Sequence, residues 1–274
     1  MLIEPWYFAA LLVSVFFLSA MLHSSVGLGG GSSYTAWMVI VSVPSLVIPS
    51  VALSLNILVS SLVCFQFIRK DLMPWKILGL VLVFSMPAAY LGGVLVVDEI
   101  IIQSLLLISL LFIVFRLSYF DSQTYQKKQI NRQFALFGIA SLGLVLGFLA
   151  GLVGIGGGIY LVPALLLLHL AGIKQAAACG GAFILCNSIV GLLAKWQTDN
   201  IAFTFSQLLP YLIAVAIGGI LGSQFSISQK NQVILHNILL LVVILACFLL
   251  AKKIIFYADC SCLLKKIWPF KRRK

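Results

Sequence analysis

Two glycine-rich runs are the part of this sequence whose residue types and spacing could do chemistry. Residues 27–31 read GLGGG and residues 154–158 read GIGGG, each directly after a valine, with 127 residues between the two starts. Both runs lie in strongly apolar sequence. Because glycine is a poor helix former, each run should break a helix inside a membrane. Lipid cannot satisfy the N–H and C=O groups freed at that depth, so the broken backbone must be buried in protein or line a cavity.

Such breaks could bind a small anion. A new helix should begin after each run, at about Ser32 and Ile159, with its first N–H groups unpaired. Each helix N-terminus carries roughly half a positive charge, and glycine lets successive N–H groups approach a ligand closely. Two N-termini meeting near the middle of the membrane would supply about one positive charge without a buried Lys or Arg. Tight helix packing by small residues is the competing explanation for the glycines.

Neutral polar side chains next to the breaks are further candidates for contact with the anion. Ser32 and Ser33 directly follow the first run, and their hydroxyls could donate hydrogen bonds. Tyr34 and Tyr160 lie just beyond the first and second run. Each of these side chains could equally bridge two helices, so both roles stay open.

Two asparagines and one histidine complete the predicted site. Asn56 and Asn187 occupy matching positions on the helix that follows each short helix, and an amide in an apolar helix needs a partner. His23, whose counterpart in the second half is Ala150, could sense protons or substrate, or could be a packed neutral side chain. The predicted substrate-binding residues are His23, Gly27, Gly29, Gly30, Gly31, Ser32, Ser33, Asn56, Gly154, Gly156, Gly157, Gly158, Tyr160 and Asn187.

The composition indicates the elements that must position these residues. Of 274 residues, 62% are hydrophobic and only 9% are charged, against about 25% charged in soluble domains. We therefore predict an all-α, polytopic membrane helical bundle. Two apolar runs of 12 and 13 residues, 32–43 and 159–171, directly follow the breaks and are expected to be half-helices. Runs near the roughly 20 residues that span a membrane cover about residues 5–26, 46–68, 74–97, 100–119, 134–153, 176–195, 206–227 and 232–255.

The two halves of the chain match beyond the glycines, which indicates an internal duplication. Asn56 aligns with Asn187, and Leu91-Gly92 aligns with Leu221-Gly222, at offsets of 131 and 130 residues. Each half should hold about four spanning helices and one glycine-broken or re-entrant half-helix. The predicted domains are an N-terminal membrane repeat (1–119), a cytoplasmic linker (120–133), a C-terminal membrane repeat (134–256) and a basic amphipathic tail (257–274).

The placement of charge bears on the number of crossings. Basic clusters lie at residues 69–76, at 116–132 and in the tail, and Asp98 and Glu99 lie between the first two. If each broken segment makes one net crossing, eight crossings put all three clusters on the cytoplasmic side with both termini, as the positive-inside rule requires. If each break is a full hairpin, there are ten crossings, the halves are inverted repeats, and some basic cluster must face outward. The placement of the basic clusters favours eight crossings.

Several kinds of chemistry have no candidate residues here. No Asp or Glu lies in the middle of an apolar run, so a carboxylate proton relay is not expected. The glycine runs follow no strand and precede no acidic residue at the spacing of a dinucleotide fold. We expect no enzyme activity, no cofactor and no metal site. The net charge of +11 lies in loops and in the tail, so we expect membrane lipid as its partner and no nucleic acid.

The tail offers the remaining candidates. Residues 257–274 mix lysine and arginine with leucine, tryptophan and phenylalanine, which is typical of an anchor on anionic lipid. Of the six cysteines, Cys260 and Cys262 lie in this tail. The favoured interpretation is that they have no special role, and a redox or palmitoylated role is a weaker alternative.

The paired Val-Gly-x-Gly-Gly-Gly motifs, each near the start of a four-helix half, closely resemble the TauE/SafE (TSUP) family of sulfite and sulfonate exporters. The resemblance covers about residues 5–255. It implies anion transport, with the glycines of both motifs bordering the translocation site. The chain departs from internal symmetry because Ser32-Ser33 follows the first motif and Ile159-Tyr160 follows the second, so we expect a lopsided site.

The resemblance and the missing carboxylates together predict a secondary carrier that exports a small sulfur-containing anion, such as sulfite, thiosulfate or an organosulfonate. We expect an integral protein of the bacterial inner (plasma) membrane, with both termini cytoplasmic and a homodimer as a candidate assembly. Two alternatives stay open. One is a membrane assembly factor or chaperone that acts through Cys260 and Cys262, and the other is a passive anion channel.

Overall fold

The computed structural model describes residues 6–95, 97–119, 132–168, 170–198 and 205–224, and eight residues between 244 and 255. Throughout these residues the regular secondary structure is helical, which confirms the predicted all-α class. The helices are α1 (Trp6–Val26), α2 (Gly31–Ile40), α3 (Ile48–Arg69), α4 (Trp75–Val94), α5 (Glu99–Tyr119), α6 (Arg132–Val153), α7 (Gly158–Leu167), α8 (Ile173–Gln197) and α9 (Phe205–Gln224).

The helices coincide with the apolar runs in the sequence. Seven of the eight predicted spans and both half-helices are present, and the last span, 232–255, lies largely outside the described residues. Within the described part of the chain, four helices are long and apolar enough to cross a membrane, and α1 and α6 contain shorter apolar stretches. The four are Ile48–Arg69, Trp75–Val94, Lys174–Gln197 and Phe205–Ser223. The protein is therefore an integral, polytopic membrane protein.

Glycines bring helices from the two halves into close contact. Gly147 and Gly151 of α6 lie directly on the backbone of Ser85 and Ala89 in α4, where a side chain would have no room. The residue numbers rise together on both helices, so α4 and α6 run parallel. Small residues at such an interface let helix backbones approach within a membrane.

The mirror pairing joins α1 to α9. Gly218 and Gly222 of α9 lie on the backbone of Phe17 and Met21 in α1, so these two helices are also parallel. The first helix of each half therefore packs on a late helix of the other half.

The long helices α3 and α8 cross the centre of the bundle in opposite directions. Gly181 of α8 lies against Val63 of α3, whereas Gly191 lies against Leu53. These helices carry the matched residues Asn56 and Asn187. Their antiparallel arrangement is the relation that the inverted-repeat alternative requires, and the internal duplication itself stays a prediction.

The first glycine run turns the chain back into the bundle. Gly27, directly after α1, lies against Phe67 near the last turn of α3, whereas Gly31, at the start of α2, lies against Asn56 near the middle of α3. Helix α2 therefore begins part-way along α3 and runs toward its N-terminal end. It is a re-entrant half-helix of 10 residues.

The second glycine run makes a similar turn. Gly157 lies against the backbone of Leu146 in α6, so the chain has turned back along α6 before α7 begins. Gly158, the first residue of α7, lies against Ile184, eleven residues into α8. Because only residues 168–172 connect α7 to α8, these two helices are antiparallel.

These hairpins change the expected number of crossings. Helix α1 runs parallel to α3. Ala20 of α1 and Val59 of α3 lie at the same level, because they contact neighbouring glycines of α9. Further along both helices, Gly27 lies against Phe67. The loop at residues 70–74 therefore lies on the opposite side of the bundle from the start of α1. Eight crossings require this loop and the start of α1 to lie on one side, so the hairpin alternative with ten crossings fits the structure better. The orientation of the termini stays a prediction.

Candidate functional site

The two glycine breaks meet inside the bundle. Gly31, at the N-terminus of α2, lies directly on the backbone carbonyl oxygen of Ile155 in the second break. A side chain at Gly31 would collide with that oxygen, so glycine is what allows the two backbones to touch. Residues 27–31 and 154–158 are all buried, and the structure thus joins two segments that are far apart in the sequence.

Backbone N–H groups are left unpaired at this junction. In the first break, four successive N–H groups donate none of the described hydrogen bonds, and in the second break three do not. They belong to Gly29, Gly30, Gly31 and Ser32, and to Ile155, Gly156 and Gly157. Unpaired N–H groups at a helix N-terminus, together with the helix dipole, favour a negatively charged ligand.

The two breaks reach this arrangement through different backbone conformations. In the second break, Gly154, Gly156 and Gly157 have φ values of 80°, 85° and 65°, a region that other residues rarely adopt. In the first break only Gly27 has a positive φ, 86°, and the residue before α2, Gly30, has a φ of −88°. The sequence motif repeats, but the backbone conformation does not.

Asn56 of α3 sits between the two breaks. Its side-chain nitrogen Nδ2 donates a hydrogen bond of 3.2 Å to the carbonyl oxygen of Gly154. Its side-chain oxygen Oδ1 is buried without a hydrogen-bond partner, and lies 3.3 Å from the place that a methyl group on Gly29 would occupy. The predicted site residue Asn56 is thus in contact with both glycine runs.

Ser60 is a polar residue at the junction that the sequence did not single out. Its hydroxyl Oγ lies 2.7 Å from the place of a methyl group on Gly29, and it too is fully buried without a hydrogen-bond partner. The signal was present, because Ser60 follows Asn56 by four residues and so shares its helix face. An isolated serine in an apolar helix is common, so this spacing alone does not distinguish Ser60 as a site residue.

Asn187, the counterpart of Asn56, does something else. Its Nδ2 donates 2.9 Å to the carbonyl oxygen of Phe183 one turn back on its own helix. The side chain of Ile184 takes the place at the breaks instead, with Cγ2 3.1 Å from a methyl on Gly29 and 3.0 Å from one on Gly156. The junction is therefore polar on the α3 side and apolar on the α8 side.

His23 and Ser33 connect α1 to the first turn of α2. The Ser19 carbonyl can only accept, so Nδ1 of His23 donates to it, at 2.8 Å. In the tautomer that carries its proton on Nδ1, Nε2 accepts from the Ser33 hydroxyl, at 3.3 Å. Both side chains are buried, and the pair holds the start of α2 against α1.

The remaining predicted residues lie beside the junction. Tyr34 is fully buried and places its hydroxyl, which has no hydrogen-bond partner, over Gly30. Ser32 is buried in the first turn of α2, and its carbonyl accepts a 2.9 Å bond from Thr35 Oγ1. Tyr160 is also buried, and its backbone N–H donates 3.1 Å to the carbonyl of Gly157.

Other predicted features lie apart from the junction or outside the described residues. Among the described residues, no three His, Cys, Asp or Glu side chains gather in a way that could hold a metal ion. Cys260, Cys262 and the basic tail lie outside the described residues. An open apolar groove of about 510 Å³ lies between α1 and α9, away from the breaks.

The sequence of this chain is similar to that of known proteins. Residues 12–250 match the family described as Sulfite exporter TauE/SafE. The probable membrane transporter protein y4hK of Sinorhizobium fredii is 30% identical over 240 residues, which are 84% of this chain and 94% of that protein. The probable membrane transporter protein MJ0441 of Methanocaldococcus jannaschii is 26% identical over 234 residues, covering 81% and 86%. No solved structure matches the chain.

Proposed function

The chain belongs to the sulfite exporter TauE/SafE family of membrane transporters, and from this membership we propose that it is a secondary carrier that exports a small sulfur-containing anion. Sulfite, thiosulfate and short organosulfonates are the substrate class. The anion is held where the N-termini of α2 and α7 meet.

The observation that carries this proposal is the cluster of unpaired N–H groups at the junction of the two breaks. Buried N–H groups are nearly always paired in proteins, so seven that are not paired in one place indicate a site for an acceptor ligand. The two helix N-termini add about one positive charge. A small oxyanion offers both the acceptor oxygens and the negative charge that such a site lacks.

The burial of the junction favours a carrier over a passive channel. Residues 27–31 and 154–158 are all buried, so the described conformation has the breaks enclosed by protein. A carrier must open such a site to one side at a time, which rocking of one helix group against another accomplishes. The parallel pairs α1 with α9 and α4 with α6 would be the units that move.

The membrane potential supplies the driving force in this proposal. An inside-negative potential is worth about 2.3 kcal/mol per charge for each 100 mV, which favours the exit of an anion. The described carboxylates Asp71 and Asp98 lie in loops between helices, and the mechanism does not need them. We place the protein in the bacterial inner membrane with both termini cytoplasmic and its basic tail, 257–274, on anionic lipid. In this orientation the loop at residues 70–74 faces outward.

Sulfite efflux from proteoliposomes tests the proposal with Gly29→Ala. The added methyl group would lie 2.7 Å from the Ser60 hydroxyl and 3.3 Å from Oδ1 of Asn56, so these two polar side chains would have to shift. The backbone conformation at Gly29 is one that alanine tolerates. We expect efflux to fall about tenfold or more, equivalent to about 1.4 kcal/mol. Gly79→Ala is the matched control, because nothing lies within 4 Å of a methyl group there, and efflux should stay at the wild-type rate. Wild-type efflux from folded Gly29→Ala would contradict the proposal.

A further inference from the structure

The junction of the breaks contains an acceptor as well as donors, and this constrains the ligand. The oxygen of a side-chain amide carries no proton and can only accept a hydrogen bond. In Asn56 this oxygen is fully buried and has no hydrogen-bond partner. A buried acceptor left unpaired is costly, so a bound ligand is expected to donate to it.

The direction of this oxygen is fixed by the other end of the amide. Nδ2 of Asn56 donates to the carbonyl oxygen of Gly154 at 3.2 Å. Turning the amide over would place two oxygen atoms against each other, which is repulsive. Oδ1 therefore points toward Gly29, where it lies 3.3 Å from the place of a methyl group.

Ser60 adds a second polar atom on the same side of the junction. Its hydroxyl lies 2.7 Å from the same place beside Gly29 and has no hydrogen-bond partner. A hydroxyl can both donate and accept. Gly29 thus has beside it one pure acceptor and one group that can donate or accept.

The charge of the junction limits the charge of the ligand. Two helix N-termini supply about one positive charge. The closest described neighbours of the glycines at the junction include no Lys or Arg side chain. These glycines are Gly29, Gly30, Gly31, Gly154, Gly156, Gly157, Gly158 and Gly180. A dianion would be only half balanced in a buried site, and burying an unpaired charge is costly. The junction therefore suits a single negative charge.

We propose that the junction binds a small, singly charged oxyanion that carries its own hydrogen-bond donor, such as the singly protonated form of an inorganic oxyanion. Its unprotonated oxygens accept from the backbone N–H groups, and its O–H is shared between two acceptors, Oδ1 of Asn56 and Oγ of Ser60. This inference rests on the proposed function and adds the protonation state of the substrate. It makes Asn56 and Ser60 the residues that distinguish a protonated oxyanion from one without a donor.

Binding of sulfite and of methanesulfonate to the full chain in lipid nanodiscs, measured by isothermal titration calorimetry over a pH series, tests the inference. Methanesulfonate is a monoanion of similar size that has no O–H group. At pH values where sulfite is singly protonated, it should bind at least about tenfold more tightly than methanesulfonate. Above the second pKa of sulfite its apparent affinity should fall about tenfold per pH unit, because the fraction able to bind falls by that factor. The affinity for methanesulfonate should not change with pH. A change in it would reveal titration of the protein itself.

Two variants and one control locate the effect. Ser60→Ala and Asn56→Leu should each bring the affinities for the two anions to within about threefold. Ser85→Ala should keep the wild-type preference, because Ser85 is another fully buried hydroxyl without a hydrogen-bond partner, on α4. If Asn56→Leu does not fold, Ser60→Ala carries the comparison, because it removes one atom and adds none.

Three results would overturn the inference. The first is equal binding of both anions by the wild-type protein. The second is a sulfite affinity that does not fall as pH rises. The third is binding that requires Na⁺ at constant ionic strength, which would assign Oδ1 to a cation. If neither anion binds and Gly29→Ala transports like the wild type, the proposed function fails and the inference fails with it.

Discussion

Asn56 of α3 donates a hydrogen bond to the carbonyl oxygen of Gly154, 98 residues further along the chain. This bond ties the long helix after the first glycine break to the backbone of the second break. The two breaks therefore form one structure, which brings their unpaired N–H groups into one part of the bundle. During transport this bond must either persist or move with the breaks. Asn56 therefore links the two breaks structurally, in addition to providing polar atoms at the junction.

Replacing Asn56 should cost more stability than replacing its counterpart. Asn56→Leu leaves the buried carbonyl of Gly154 without that donor, and we expect a loss of about 1–3 kcal/mol. Asn187→Leu removes a bond to a carbonyl within its own helix, and should cost less than about 1 kcal/mol. Thermal unfolding in detergent, followed by intrinsic fluorescence, compares the two. Equal destabilisation would show that the bond to Gly154 has no special role.

Gly31 should be the least replaceable glycine of the first run. A methyl group there would collide with the backbone oxygen of Ile155, and backbone cannot move aside as a flexible side chain can. We expect Gly31→Ala to destabilise the protein by about 1–3 kcal/mol or more. Gly172→Ala, where nothing lies within 4 Å, is the control and should unfold at the wild-type temperature. A fully stable Gly31→Ala would mean that the two breaks do not touch.

The hairpins predict which parts of the chain share a side of the membrane. An N-terminal tag and a cysteine at Leu46, which is 52% exposed, should be labelled from one side. A cysteine at Lys76 should be labelled from the other. Impermeant maleimide applied to intact and to opened cells gives the comparison, in a background without the native cysteines. Labelling of the tag and Lys76→Cys from one side would restore the eight-crossing arrangement.

Much of the fold could be predicted from the sequence because the bilayer restricts the choices. Long apolar runs must be helices, since only a helix satisfies its own backbone in lipid. The half-helices were expected to start at about Ser32 and Ile159, and they start at Gly31 and Gly158. Glycine runs are strong breaks, and the helices resume where the glycines end.

Other features depend on packing that hydropathy does not reveal. The same apolar pattern serves a single crossing or a hairpin, so the direction of α2 emerged only from the contact of Gly31 with Asn56. Matching sequence positions predicted equal roles for Asn56 and Asn187. The structure gives the second place to Ile184, because side chains from α8 meet the breaks at a different register.

Transport should follow the membrane potential. If the substrate leaves as an anion without a countercharge, an inside-negative potential should speed sulfite efflux from proteoliposomes and an inside-positive potential should slow it. Each 100 mV contributes about 2.3 kcal/mol for one charge. A potassium gradient with valinomycin sets the potential, and protein-free liposomes supply the control. A rate that is unchanged when the potential is clamped at zero would contradict this mechanism.

The location of the bound anion is the most direct measurement of the central claim. Selenite is a heavier analogue of sulfite, and its anomalous scattering marks its position in crystals of the wild-type protein. We expect a peak within about 3.5 Å of the backbone nitrogens at both breaks and of Asn56. The same peak should be lost in Gly29→Ala. A peak elsewhere, for instance in the groove between α1 and α9, or no peak at a selenite concentration that saturates binding in solution, would contradict the account.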